Sequence, residues 1–268
     1  LGCIVNEING YVSLSDAEYE SVKNISPKQM KEFHNNHYIA KNCTLCIAGA
    51  VPKEINTIIN NSKLKQLNYM IGKTNISEEI SFNKGYKHEI IPRLEGGRIL
   101  KAWKLPPAKE QLLILGAEIV ATMLCEGKSS LIVKKLREEK RLIESIEIDL
   151  QILEKGGLIL LDVSCPLENL TIAENEINYI LNYSNNRLFD IKDLNRAKKL
   201  VKNSIYFNLE LSTQIASTSG NQALWGRHQS ILKSIKDLSY WTSDRLNKFI
   251  FPLFNPKDSF TLIAEPKK

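Results

Sequence analysis

Some segments of the chain have the apolar pattern of a helix, and others have apolar residues at every second position, as in a strand. From Leu112 to Leu124 nearly every position is apolar except Glu118, which predicts a buried helix over residues 110–125. A period of two over residues 144–153 and 158–165, around two glycines, predicts a β-hairpin. A second hairpin is predicted from residues 87–93 and 98–105. We therefore expect an α/β (α+β) fold, with a mainly antiparallel sheet and helices packed on one face.

Further helices are indicated by capping residues and by the 3.6-residue period. Ser26, Pro27 and Gln29 form a capping box with proline at the first helical position, and Asp190 caps another helix. In the first of these helices we expect Met30 and Phe33 to point inward. We expect Ile172, Ile177, Ile180 and Leu181 to point inward in the helix over 169–182. Helices are predicted over residues 26–38, 52–63, 129–141, 169–182, 191–211 and 220–225, and strands over 43–48 and 259–264.

One helix-turn-strand pattern occurs twice, at a constant offset of 216 residues (242 − 26). The offset matches Ser26 with Thr242, and it needs no gap to match the other equivalent positions. It predicts a duplicated unit of about two hundred residues. We expect residues 1–67 to be the end of a first domain, 68–84 a linker and 85–268 a complete second domain. The other matched pairs are Met30 with Leu246, Phe33 with Phe249, Tyr38 with Phe254, Lys41 with Lys257, Ile47 with Ile263 and Ala48 with Ala264.

Composition places the chain among ordinary globular proteins. Its 268 residues are 43% hydrophobic and 25% charged, with a net charge of +6 spread among 36 basic and 30 acidic residues. No block of like charge indicates nucleic-acid binding, and no apolar run is long enough for a membrane span. The opening Leu1-Gly-Cys-Ile-Val, without methionine, is interpreted as a fragment or processed chain. An odd number of cysteines favours a reducing compartment such as the cytoplasm.

Candidate catalytic and ligand-binding motifs are few. His34, His37, Cys43 and Cys46 have the residue types of a structural zinc site, but a strand over 43–48 would turn the two thiols to opposite faces. Gly127-Lys128-Ser129 lacks the earlier glycine of a phosphate loop. No His-x-x-Glu-His motif and no nucleophile-histidine pair occurs in the sequence. We expect no catalytic residue and no metal site in this chain.

The stretch after Gly127 carries the most specific pattern. Ser129, Ser130 and Leu131 are followed by Leu136, Arg137 and Glu138, and then by a strand. This resembles the second-half signature of the insulinase-like zinc metallopeptidases, the family of pitrilysin and the mitochondrial processing peptidase. The resemblance implies two similar domains that face each other like a clam and hold a peptide between them. It also implies that zinc belongs to the first copy, while the second forms a wall of the chamber.

The resemblance extends to three single residues. It implies that Arg137 donates to a peptide carbonyl or acidic side chain, although a surface salt bridge with a neighbouring glutamate is an equal alternative. Many active members have tyrosine where this chain has Glu144. Glu7, in Cys-Ile-Val-Asn-Glu, matches the family's third zinc ligand if a His-x-x-Glu-His lies upstream; otherwise it is a surface glutamate.

Three functions remain open at this stage. The favoured one is the non-catalytic C-terminal half of an insulinase-like peptidase, partnered by a peptide substrate and by a metal-bearing N-terminal half or separate subunit. The second is a degenerate homologue that acts as a structural or partner-binding subunit. A basic nucleic-acid-binding domain is a remote third. A homodimer is also compatible with the sequence.

Overall fold

The computed structural model describes residues 22–67, 81–185, 189–227 and 229–267. The strands are β1 Gly85–Ile90, β2 Gly97–Leu105, β3 Ser145–Leu153, β4 Gly156–Cys165 and β5 Phe260–Glu265. A π-helix spans Val133–Glu139. The α-helices are α1 Pro27–His37, α2 Ile55–Asn61, α3 Gln111–Cys125, α4 Leu170–Asn185, α5 Ile191–Asn208, α6 Ser212–Leu224, α7 Lys233–Asp237 and α8 Ser243–Phe249.

The five strands form one mainly antiparallel sheet in the order β1-β5-β2-β4-β3. β3 and β4 are the predicted hairpin, turning between Leu153 and Gly156. The second predicted hairpin is wrong, because β1 and β2 are not neighbours. The last strand, β5, lies between them, antiparallel to β2 and parallel to β1. A pairing partner from the far end of the chain thus replaces the local one.

Helices pack against one face of this sheet, as expected from the sequence. Alternate residues of β2, including Ile99 and Trp103, join a core with the apolar helix α3 and with α4 and α5. The indole Nε1 of Trp103 donates to the backbone oxygen of Asn255 at 2.8 Å, which satisfies the polar atom of this buried ring. The opposite face carries exposed side chains such as Arg98 and Lys104, and Phe82 packs there against Leu158.

Several predicted helix features are confirmed at single residues. Ser26 Oγ accepts from the Gln29 backbone, and Gln29 Oε1 accepts from the Ser26 N–H at 2.8 Å, which completes the capping box. Asp190 caps α5 through the Lys192 N–H at 2.9 Å. In α4, the core contains Ile177, Ile180 and Leu181 as predicted, but the prediction for Ile172 is wrong because its side chain is exposed.

The segment before residue 67 differs most from expectation. Met30 and Phe33 were predicted to point inward, yet their side chains are 64% and 59% exposed. Residues 43–48 pair with no strand of the described chain, so the predicted strand is wrong. The segment instead runs beside α6, where a Cβ placed on Gly220 would lie 3.7 Å from Cys46 Cβ. A strand needs a neighbouring strand for its backbone hydrogen bonds, and residues 43–48 do not pair with either edge strand of the sheet, β1 or β3.

Candidate functional site

Arg137 lies in the π-helix Val133–Glu139, within the Leu-Arg-Glu pattern. The wider turn places the N–H of Leu142 against the Leu136 oxygen at 2.8 Å, and Arg141 leaves the helix at φ 53°. π-helical turns are rare, and a non-glycine residue with positive φ is held there by its surroundings. The family pattern therefore coincides with the most unusual backbone in the described chain.

The guanidinium of Arg137 contacts its own neighbour. Nε and Nη2 donate to Glu138 Oε1 at 3.0 and 2.8 Å, on a side chain that is 37% exposed. This is the surface ion pair that the sequence left open as an alternative. The pair occupies one edge of the guanidinium fork, so Nη1 remains for an external acceptor.

Glu144 directly precedes β3 and accepts a hydrogen bond from Ser164 Oγ at 3.3 Å. No hydrogen bond or ion pair joins it to Arg137, so the structure gives these two predicted residues separate partners. Behind Glu144, burial raises the pKa of the Cys165 thiol to about 11, helped by the charges of Glu144 and Glu168. Cys165 is therefore a buried packing residue and not a reactive thiolate.

A groove of about 470 Å³ follows β3, and we call it the edge groove. β3 is the last strand on its side of the sheet, and within the described ranges no strand pairs with its outer edge. Ile146 to Leu150 line the groove consecutively, facing α3 and the Val201 side of α5. Successive side chains of a strand point to opposite faces of the sheet, so consecutive residues can line one groove only if the groove runs along the edge of the strand.

The edge groove is acidic. Four carboxylates line it, and none of its described lining residues is basic. Burial, and secondarily the charge of Glu126, raises the pKa of Glu118 to about 7. The sequence analysis missed this site. The alternation of Glu147 and Asp149 along a strand can be seen in the sequence, but the position of β3 at the edge of the sheet cannot. The four carboxylates are those of Glu118, Glu126, Glu147 and Asp149.

The metal-ligand candidates do not form a site. Glu7 lies outside the described residues, and so does His228. His37 Nδ1 lies 2.9 Å from the Phe33 oxygen, and His34 stacks on Tyr38. In the described ranges no three His, Cys, Asp or Glu side chains are grouped to hold a metal ion. The described residues therefore do not supply a ligand set for the zinc that the resemblance places in the other copy.

Several basic side chains form ion pairs with neighbouring carboxylates. Arg98 binds Asp162 at 3.0 Å, and Lys140 binds Glu176 at 2.6 Å. Lys101 is buried beside Glu174 at 3.2 Å. No helix within the described residues is long and apolar enough to cross a bilayer.

Comparison with known proteins identifies one matching family and several similar folds. The profile of the family described as "Peptidase M16 inactive domain" matches residues 24–201. The fold is similar to that of a protease from Helicobacter pylori, with TM-score 0.79, 17% identity and coverage of 92% of this chain and 60% of that chain. No curated protein matches the chain at a significant level.

Two further solved structures share the fold. A peptidase M16 inactive domain from Pseudomonas fluorescens has TM-score 0.78 and 14% identity, over 93% of this chain and 60% of that one. The periplasmic protease PqqL from Escherichia coli has TM-score 0.70 and 13% identity, over 92% of this chain and 29% of that one. The chain thus spans 60% of the length of the Helicobacter and Pseudomonas structures.

Proposed function

Because the chain belongs to the family of peptidase M16 inactive domains, as its Ser-Ser and Leu-Arg-Glu pattern predicts, we propose that it is the non-catalytic half of an insulinase-like peptidase. In this role it forms one wall of a peptide-binding chamber. The zinc site lies on a metal-bearing N-terminal half or on a separate subunit of the same family.

The proposal includes a division of the chain. Residues 1–67 are the end of a first domain, 68–84 the linker and 85–268 the second domain. The exposed Met30 of α1 supports this division, because its equivalent Leu246 is fully buried in the second domain, and Met30 would be buried in the same way in a complete first domain. The linker itself lies largely outside the described residues.

The edge groove is the observation that carries the proposed function. An extended peptide can add a strand to a free sheet edge, with main-chain hydrogen bonds supplying affinity and flanking side chains supplying specificity. Along β3, the exposed carboxylates Glu147 and Asp149 would meet basic side chains of such a peptide. We therefore propose that the bound peptide is extended and carries lysine or arginine.

Binding of a fluorescent peptide of about ten residues, with alternating lysine and valine, tests this function. Glu147→Lys combined with Asp149→Lys should weaken binding by about tenfold or more, because like charges then face each other. The matched control is Glu95→Lys with Glu110→Lys, which makes the same charge change at exposed residues that do not line the groove. Equal affinity of the two double variants would refute binding in the edge groove.

Arg137 supplies a second test in the assembled enzyme. Arg137→Ala should lower peptide turnover about tenfold while the melting temperature stays unchanged, because the lost group would contact substrate and is only partly buried in this chain. Arg93→Ala, at another exposed position, serves as the control. Unchanged turnover would mean that Arg137 makes only its ion pair with Glu138.

The degenerate, partner-binding subunit is the second candidate. Glu144 in place of the tyrosine of many active members favours it. An in-frame upstream His-x-x-Glu-His, read from the coding sequence, would support the peptidase, and a degraded motif would support the second candidate.

A further inference from the structure

A second cavity, separate from β3, contains two unpaired charges of opposite sign. It has a volume of about 160 Å³ and lies between the start of α3, the end of α5, α6 and the segment before α7. Ile114, Leu115 and Ile205 supply apolar walls, while Glu118 and Arg227 also line it. Cavities with apolar walls and a few convergent polar groups are the usual form of small-molecule sites.

Arg227 is held firmly but incompletely. With the Gln111 amide oriented to accept, its oxygen lies 2.9 Å from Nε and 3.1 Å from Nη1. The guanidinium also lies 5.0 Å from the ring centre of Trp225. Nη2 is buried without a partner in the described chain. A buried, charged donor without an acceptor is costly, so an external anion at this atom would be stabilising.

Glu118 is the complementary group. It comes from the middle of α3, and no donor among the described residues binds its carboxylate. Burial, and secondarily the charge of Glu126, raises its pKa to about 7. An ammonium group in the cavity would stabilise the charged form.

From this arrangement we propose that the cavity binds a free α-amino acid with a small aliphatic side chain. The ligand carboxylate would bind Arg227, the ammonium group Glu118, and the side chain the apolar walls. The size is suitable, since an engineered apolar cavity of roughly 150 Å³ holds benzene. This ligand site goes beyond the proposed peptidase role and does not depend on it.

Calorimetric titration of the chain with three related compounds tests the proposal. L-valine carries both charges, isovalerate lacks the ammonium group and isobutylamine lacks the carboxylate. Valine should bind saturably and about tenfold or more tighter than either analogue. No saturable binding of valine up to ~10 mM, or equal affinity for valine and isovalerate, would overturn the proposal.

Variants assign the two charges. Arg227→Gln should weaken valine about tenfold and leave isobutylamine unchanged, whereas Glu118→Gln should reduce valine to the affinity of isovalerate. Arg98→Gln and Glu95→Gln are the matched controls, and a thermal melt of each variant verifies folding. Valine affinity that survives Arg227→Gln would overturn the site.

The two proposed sites can fail separately. Glu118 lines both sites, but Arg227 lies outside the edge groove, and Glu147 and Asp149 lie outside this cavity. Loss of peptide binding in the Glu147 and Asp149 double variant with valine affinity intact would leave the amino-acid site standing, and the reverse result would leave the peptide groove standing.

Discussion

Residues 26–49 and 242–265 share a helix cap and a following single turn, but only the second range continues into a strand. In both, a hydroxyl caps the helix at the same position, with Ser26 accepting from Gln29 and Thr242 from Arg245. The single turns 40–42 and 256–258 fall at the same offset. The backbone bond from Cys43 to Ala40 is repeated from Ser259 to Pro256. Local sequence is therefore sufficient to specify caps and turns.

Burial differs between the two regions at most of the matched apolar positions, although Phe33 and its equivalent Phe249 are exposed in both. Tyr38 is 57% exposed and its equivalent Phe254 is 1% exposed, while Ile47 is 44% exposed and Ile263 is 4% exposed. The apolar pattern is the same in each pair. Only the second region has a sheet to pack on, because β5 is paired on both sides by β1 and β2. The apolar pattern therefore specifies which side of a helix or strand is apolar, and whether that side is buried depends on a second element that packs against it.

The largest difference is expected at the matched aromatic pair. Phe254→Ala should lower the free energy of unfolding by about 3–5 kcal/mol, because it leaves a cavity beside Trp103, whose ring centre lies 6.1 Å away. Tyr38→Ala should change it by less than about 0.5 kcal/mol, as at an ordinary surface position. Urea denaturation of both variants measures the difference. Similar losses would mean that the first region is buried in solution.

A smaller difference is expected along the strand. Lys101 of β2 is buried and pairs with Thr261 of the neighbouring strand β5, and its Nζ donates to Thr261 Oγ1 at 2.8 Å. Thr261→Val should cost about 1–2 kcal/mol, because it removes one of the two acceptors of a buried ammonium group, the other being Glu174. Leu45→Thr, at the equivalent exposed position, should cost less than about 0.5 kcal/mol. Urea denaturation of the two variants gives this comparison, and equal costs would contradict it.

The same bond predicts a pH dependence. Burial lowers the pKa of Lys101, against the opposing effect of Glu174, so the unfolded chain binds more protons between the folded and unfolded pKa values. Stability should therefore rise with pH across that alkaline window. Thr261→Val removes a partner of the charged form and should extend the rise to lower pH. Urea midpoints measured against pH should show this, and an unchanged profile would mean that Thr261 does not stabilise the charge.

Prediction from sequence succeeded where interactions are local. The capping box at Ser26, the cap at Asp190 and the β3-β4 hairpin each depend on residues close in the chain. It failed where a distant segment decides. The insertion of β5 beside β1 made one predicted hairpin wrong, and the lack of a partner made the strand over 43–48 wrong.

The candidate sites follow the same rule. Arg137 was found because a family pattern marks it, whereas the edge groove and the Arg227 cavity are assembled from elements far apart in sequence. Glu118 illustrates the difficulty, since within the apolar pattern of α3 it is a single polar position. Its raised pKa depends on burial that the pattern alone does not supply.

The smallest predicted difference concerns the two caps. Thr242→Ala should lower the global free energy of unfolding by about 1 kcal/mol, because α8 contains the fully buried Leu246 and unfolds with the core. Ser26→Ala removes a comparable cap, but α1 contains no buried residue. Its loss should therefore increase amide hydrogen exchange in α1 and leave the urea midpoint unchanged. A shift of that midpoint by Ser26→Ala would mean that α1 unfolds together with the core, and the exposed region would then be part of one cooperative unit.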